Sequence, residues 1–182
     1  MEKIGGVLFV LFIAAGFIGC YKQVSSEAIT PVDVEVVELN ASLPSSEESD
    51  ILITTHIKKA SYHFSPRTAE TPYTFILSIN GKEIKETLKG VEDVESKIDA
   101  ERGEGIHYAL KKRLRLKPGK YEIILKSEDG KSAKIKTELK GGKLHTLRFD
   151  PVYGSPKFGR SKHFREGVIY YEIYLDDNEI LK

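Results

Sequence analysis

One cysteine in 182 residues, Cys20, excludes an intrachain disulfide and any cysteine-based zinc cluster. A domain without such staples has to hold itself by an ordinary hydrophobic core, which a chain of this length is able to bury. Tryptophan is absent, so the stacking platforms many sugar-binding modules use would have to come from nine Tyr and eight Phe. Excess charge of one sign is missing as well: 28 Lys and Arg against 27 Asp and Glu leave a net charge of +1. That balance argues against nucleic acid as a partner, which calls for a strongly basic face. Long apolar runs are also scarce, and the one that exists lies at the N-terminus.

That run, Ile4 to Ile18, follows Met1-Glu2-Lys3 and stops at Gly19-Cys20. At about 15 residues with three glycines it falls short of the ~20 a membrane-spanning helix needs. A short charged start, an apolar stretch and a small residue before a cleavage point make an export signal. Phe17-Ile18-Gly19-Cys20 resembles the lipobox of bacterial lipoproteins, although Phe17 stands where that family prefers Leu, Val or Ile. The resemblance implies a diacylglyceryl group on the Cys20 sulfur, cleavage before Cys20, and anchorage outside the cytoplasm. Tyr21, where an aspartate would imply inner-membrane retention, favours the outer membrane of a diderm source. Residues 1–19 therefore read as signal peptide, 20–31 as a lipidated tether and 32–182 as a single domain, expected to be a monomer.

Within the domain the hydrophobic period is two almost throughout, the mark of half-buried strands. Val32, Val34 and Val36 alternate with acids, and Ile51, Ile53, Thr55 and Ile57 alternate with residues apolar enough for a strand covered on both faces. Tyr73 to Ile79 runs into Asn80-Gly81, the strongest short hairpin signal, and returns over Lys82 to Leu88. Residues 90–105 break the rhythm with an acidic, helix-compatible stretch for which a short helix or an ordered insertion is expected. Alternation resumes from His107 to Asp150, punctuated by Pro118-Gly119, Asp129-Gly130 and Gly141-Gly142, and is expected to form a meander. A last strand runs from Val168 to Leu175. The fold class is mainly β: an antiparallel Ig-like or transthyretin-like β-sandwich with a short helical insertion.

The order Ser78-Ile79-Asn80-Gly81-Lys82, Leu116-Lys117-Pro118-Gly119-Lys120-Tyr121-Glu122-Ile123, Gly130, Gly141-Gly142 is similar to the PEGA and transthyretin-like sandwich modules over roughly residues 73 to 150. The acidic insertion and the tail after Asp150 depart from that pattern. The resemblance implies a non-catalytic binding or spacing role.

Constellations of chemical interest are few. The histidines, at 56, 63, 107, 145 and 163, show neither the i, i+4 helical spacing nor a Cys/His spacing of a metal site, and no cofactor motif occurs. Gly154-Ser155-Pro156 lacks the glycines of a nucleophile elbow. Asp176 to Glu179 lacks the spacing of a calcium loop and reads as a solvated turn. The basic stretch Lys111 to Lys117 reads as an edge strand whose charges discourage edge-to-edge pairing, with contact to anionic lipid or glycan as the alternative. The segment from Tyr153 to Arg165 mixes aromatics and cations in a glycine-bearing loop, and Tyr153, Lys157, Phe158, Arg160, Lys162 and Arg165 are its candidate binding residues. The leading expectation is a non-catalytic, membrane-anchored lipoprotein that binds or spaces an envelope component. A glycan-binding or glycan-processing protein using the 153–165 loop is the alternative.

Overall fold

The computed structural model describes residues 32–62, 66–155 and 161–181. The expected signal, Cys20 and the expected tether lie outside the described residues, as do His63, Lys157, Phe158 and Arg160. No helix among the described residues is long and apolar enough to cross a membrane.

The chain is a sandwich of two sheets. Its strands are β1 (Glu35–Val37), β2 (Ser49–Lys59), β3 (Tyr73–Ile79), β4 (Lys82–Leu88), β5 (Val91–Asp93), β6 (Gly105–Leu116), β7 (Gly119–Ser127), β8 (Ser132–Leu139), β9 (Leu144–Tyr153), β10 (Val168–Leu175) and β11 (Asn178–Leu181). The larger sheet runs β1-β6-β2-β9-β10-β11, with β5 also paired to β6; the smaller runs β4-β3-β7-β8. Neighbours are antiparallel except β2 and β9.

Period-two alternation decides which side chains meet between the sheets. Ile51, Ile53 and Ile57 of β2, Leu110 and Leu114 of β6 and Leu147 and Phe149 of β9 form one inner face. Tyr73, Phe75, Leu77 and Ile79 of β3 with Ile123 and Leu125 of β7 form the other, and all of these are buried. Tyr73 meets Phe75 edge-on at 5.1 Å and Tyr108 at 5.2 Å between ring centroids. Asn80-Gly81 makes the expected hairpin: Ile79 pairs with Lys82, and both turn residues sit at positive φ, 46° and 86°. The Asn80 carboxamide also accepts the Glu122 N–H at 2.7 Å, which ties the turn to β7.

Three expectations need correction. The 90–105 insertion is ordered, but its helical part is only one 3₁₀ turn, Asp99–Glu101, after strand β5. Residues 107–150 are not a meander, because only β7 and β8 pair within them. The chain changes sheet at Lys117-Pro118 and again between β8 and β9, so those turns are corners of the sandwich rather than hairpins. Strand β6 is no edge strand, since β1 pairs Val37 to Arg113 and Glu35 to Arg115 outside it while β2 flanks it inside. The turn expected over Asp176 to Glu179 is there: Asp176 and Asp177, at φ 48° and 63°, lead the chain into β11.

Two basic residues of β6, Arg113 and Arg115, share one acidic partner on β2. Asp50 is fully buried, and both Arg113 Nε and Arg115 Nε donate to it at 2.8 Å. Arg113, 3% exposed, also donates to the Ala41 and Ser42 carbonyls at 2.7 and 2.8 Å, which fastens the 38–48 loop to the sheet. Burial alone would raise the Asp50 carboxyl, but the two guanidiniums outweigh it and hold it below the usual carboxylate range.

Candidate functional site

Odd residues of β2 face the core, so His56 and Lys58 project from the outer face of the large sheet. In the β2–β6 register Lys58 lies opposite His107 and His56 opposite Ala109, which puts both imidazoles on that same face as diagonal neighbours. Their ring centroids are 5.5 Å apart. An outer face normally stays wet. Here the 90–105 insertion folds over it: β5 pairs with the start of β6, Val91 to His107 and Asp93 to Gly105, and the 3₁₀ turn then carries Glu101 back above the two histidines.

Glu101 is 1% exposed and its carboxylate is the centre of the cluster. Oε1 lies 3.2 Å from His56 Nε2 and accepts the Tyr153 hydroxyl at 2.6 Å, while Oε2 accepts from Ser96 Oγ at 3.3 Å. Tyr153 Oη in turn accepts the buried Lys58 N–H at 2.9 Å. Lys58 is fully buried, with its ammonium on Asp93 at 3.0 Å, on the Glu101 carbonyl at 2.8 Å and 5.2 Å from the Phe164 ring centre. Gly105 allows this crowding. A Cβ there would stand 2.8 Å from the Lys59 carbonyl oxygen and 2.9 Å from the Phe164 ring.

Burial alone would raise Glu101, but the hydrogen bonds from His56 and Tyr153 prevail and hold its carboxyl below the ordinary value. Burial pushes His107 down, against the opposing pull of the Glu101 charge. Burial, then the Glu101 charge, pushes the Tyr153 phenol far above its ordinary value, so it stays a donor. The arrangement therefore places one ionised carboxylate and two imidazoles together, partly open to solvent through His56, whose side chain is 23% exposed. One ligand atom from each of His56, Glu101 and His107 lies within 4.8 Å of the others. That set is able to share a proton as an ion pair or to hold a cation.

The candidate residues of the 153–165 loop divide. Tyr153 is 2% exposed and belongs to the buried cluster just described. Phe164 is equally buried and closes the core under Lys58. Lys162 and Arg165 are exposed, the first 6.0 Å from the Tyr170 ring centre and the second 5.8 Å from that of Phe164. Lys157, Phe158 and Arg160 lie outside the described residues. Sequence reasoning thus reached Tyr153 through its loop and missed its partners. His56, Glu101 and His107 are separated by 45 residues and by 6, a pattern no local motif contains. The one signal was the insertion itself, an acidic interruption with no structural role in a minimal sandwich.

Another histidine, His145, serves a structural contact. His145, 4% exposed, accepts the Lys140 N–H through Nε2 at 3.0 Å, so its proton sits on Nδ1 and is donated to Asp176 at 2.9 Å. Asp176 also takes the Lys143 ammonium at 2.8 Å and the Thr146 N–H at 2.9 Å. This contact locks the β10–β11 turn to the start of β9.

Comparison of the chain with protein-family models, with curated proteins and with solved structures gave no match.

Proposed function

We propose that this chain is a non-catalytic lipoprotein of the bacterial envelope, anchored through Cys20, whose β-sandwich binds or spaces an envelope component. The observation that carries the reading is the apolar run that ends at Gly19-Cys20 on the chain's sole cysteine. Each buried methylene of an attached acyl chain contributes about 0.8 kcal/mol, so two or three chains hold the protein firmly without a spanning helix. Residues 21–31 then supply a tether of roughly 35–40 Å when fully extended. That reach lets the domain stand clear of lipid headgroups and meet a partner. Tyr21 after the cysteine favours the outer membrane where the source has one.

The buried polar groups of the sandwich support a scaffold role. Asp50 is satisfied by Arg113 and Arg115, and His145 by Asp176, with partners from separate strands. These contacts rigidify the larger sheet.

Metabolic labelling with a clickable fatty acid tests the anchor. The wild-type chain should carry label and sediment with membranes; Cys20→Ser should carry none, because the acyl transfer needs a thiolate sulfur. Equal labelling of the two chains would end the lipoprotein reading. Capture of envelope proteins by the lipidated chain, set beside a glycan array, then separates a protein partner from a sugar.

A further inference from the structure

We propose that His56, Glu101 and His107 form a binding site for one divalent first-row transition-metal ion of the zinc type. The inference stands apart from the lipoprotein reading and holds whether or not Cys20 is acylated.

The donor set is the first argument. Two imidazole nitrogens and one carboxylate oxygen suit zinc and its neighbours, and three protein ligands leave a fourth position for water or a partner's side chain. Oxygen-seeking calcium and magnesium would find one carboxylate here and two poor ligands.

Geometry is the second. Ligands bound at ~2.0–2.1 Å around a tetrahedral ion stand about 3.3–3.4 Å apart. His56 Nε2 and Glu101 Oε1 are already 3.2 Å apart. The remaining spans, all within 4.8 Å, close by an adjustment of about 1.5 Å or less, the scale of a side-chain rotation at His107. The histidines ride on two central strands of the large sheet, and the turn bearing Glu101 is pinned by Lys58 Nζ on its carbonyl.

The outer contacts are those that metal-binding carboxylates use. Tyr153 donates to Glu101 Oε1 and Ser96 to Oε2, which aims the carboxylate, and the Lys58 N–H aims Tyr153 in turn. Charge agrees. The Lys58 ammonium is neutralised by Asp93, and among the described residues Glu101 has no Lys or Arg ion pair, only the His56 contact. A buried carboxylate so placed calls for a cation. Entry is open on the β6 side, where exposed Ala109 lies directly across from His56.

The test uses the full chain in detergent, stripped with a chelator, then titrated calorimetrically with zinc chloride and spectroscopically with cobalt(II). Wild type should bind one zinc ion and develop the visible bands of low-symmetry cobalt. His56→Ala and His107→Ala should each weaken zinc by about tenfold or more, at least the loss a second-shell substitution brings. Lys162→Ala, at an exposed position that offers no ligand, should bind as wild type does. Circular dichroism of each variant confirms folding. Should buried Glu101→Gln fail to fold, the two histidine variants decide the matter. Absence of saturable one-to-one binding by the wild type, or unchanged binding by the His56→Ala/His107→Ala double variant, overturns the proposal. Either result would leave the cluster as a His56–Glu101 ion pair that only holds the insertion down.

Discussion

Tyr153→Phe removes a single oxygen and leaves the ring in place, so its effect isolates the hydrogen bonds of the buried cluster. Two are lost. The hydroxyl donates to Glu101 Oε1 at 2.6 Å, a bond to a charged acceptor worth about 1.5–3 kcal/mol. The same oxygen accepts the N–H of fully buried Lys58 at 2.9 Å, and an orphaned buried donor costs about 1–3 kcal/mol. Glu101 keeps His56 and Ser96, which pulls the sum toward its lower end. The expected loss is about 2.5–4 kcal/mol, or roughly 6–12 °C in Tm for a domain of this size. Urea unfolding followed by far-UV circular dichroism measures it, in chelator so that bound metal does not contribute. The urea dependence should keep its slope, since the unfolded surface is unchanged. A loss under about 0.5 kcal/mol would refute the reasoning, because it would mean that Glu101 and Lys58 are satisfied without the phenol.

Asp50→Asn should destabilise by about 3–5 kcal/mol in the same assay, since it leaves the Arg113 guanidinium, 3% exposed, without its counter-charge. Gly81→Val should cost about 1–2 kcal/mol although the space around Gly81 is empty, because the penalty lies in φ +86°; Gly81→Asn should cost far less. At Asp176, burial works against the charge, but Lys143, the Thr146 N–H and His145 prevail and hold its carboxyl at about 2. The folded state thus favours the carboxylate, so its contribution is whole above the unfolded value near 3.8 and fades as pH falls through about 2. Solvent reaches a quarter of that side chain, so its contribution is about 1–2 kcal/mol. The stability gap between wild type and Asp176→Asn, measured by denaturant titration, should be constant from pH 5 to 7 and shrink toward pH 2; a gap that widens on acidification would contradict this.

Much of the strand pattern was legible because burial in a sheet alternates residue by residue. Ile51, Ile53 and Ile57, or Tyr73 through Ile79, declare their inner face in any correct register. Asn80-Gly81 was equally plain, as positive φ at both positions is a property of those two residues alone. The short helix expected within 90–105 shrank to one 3₁₀ turn for a local reason. Acidic residues with scattered Val and Ile fit a helix by propensity, yet β6 offered Val91 to Asp93 a pairing edge and the rest of the segment was drawn onto Lys58. Tertiary hydrogen bonds outweighed a weak intrinsic preference.

The turns show the boundary most clearly. Pro118-Gly119 and Gly141-Gly142 announce a change of direction but do not specify the partner of the next strand. A corner between sheets and a hairpin within one use the same residues. Strand partners are chosen by the packing of the two inner faces, a property of the whole chain. The site follows the same rule. The proposed anchor at Cys20 rests on the N-terminal run alone, since an export signal is read by other proteins as an extended sequence before folding. His56, Glu101 and His107 acquire a relation only through the β2–β6 register and the insertion folded across it. Their chemistry depends on a distance of a few ångströms between residues far apart in the chain, and that distance exists only in the folded sandwich.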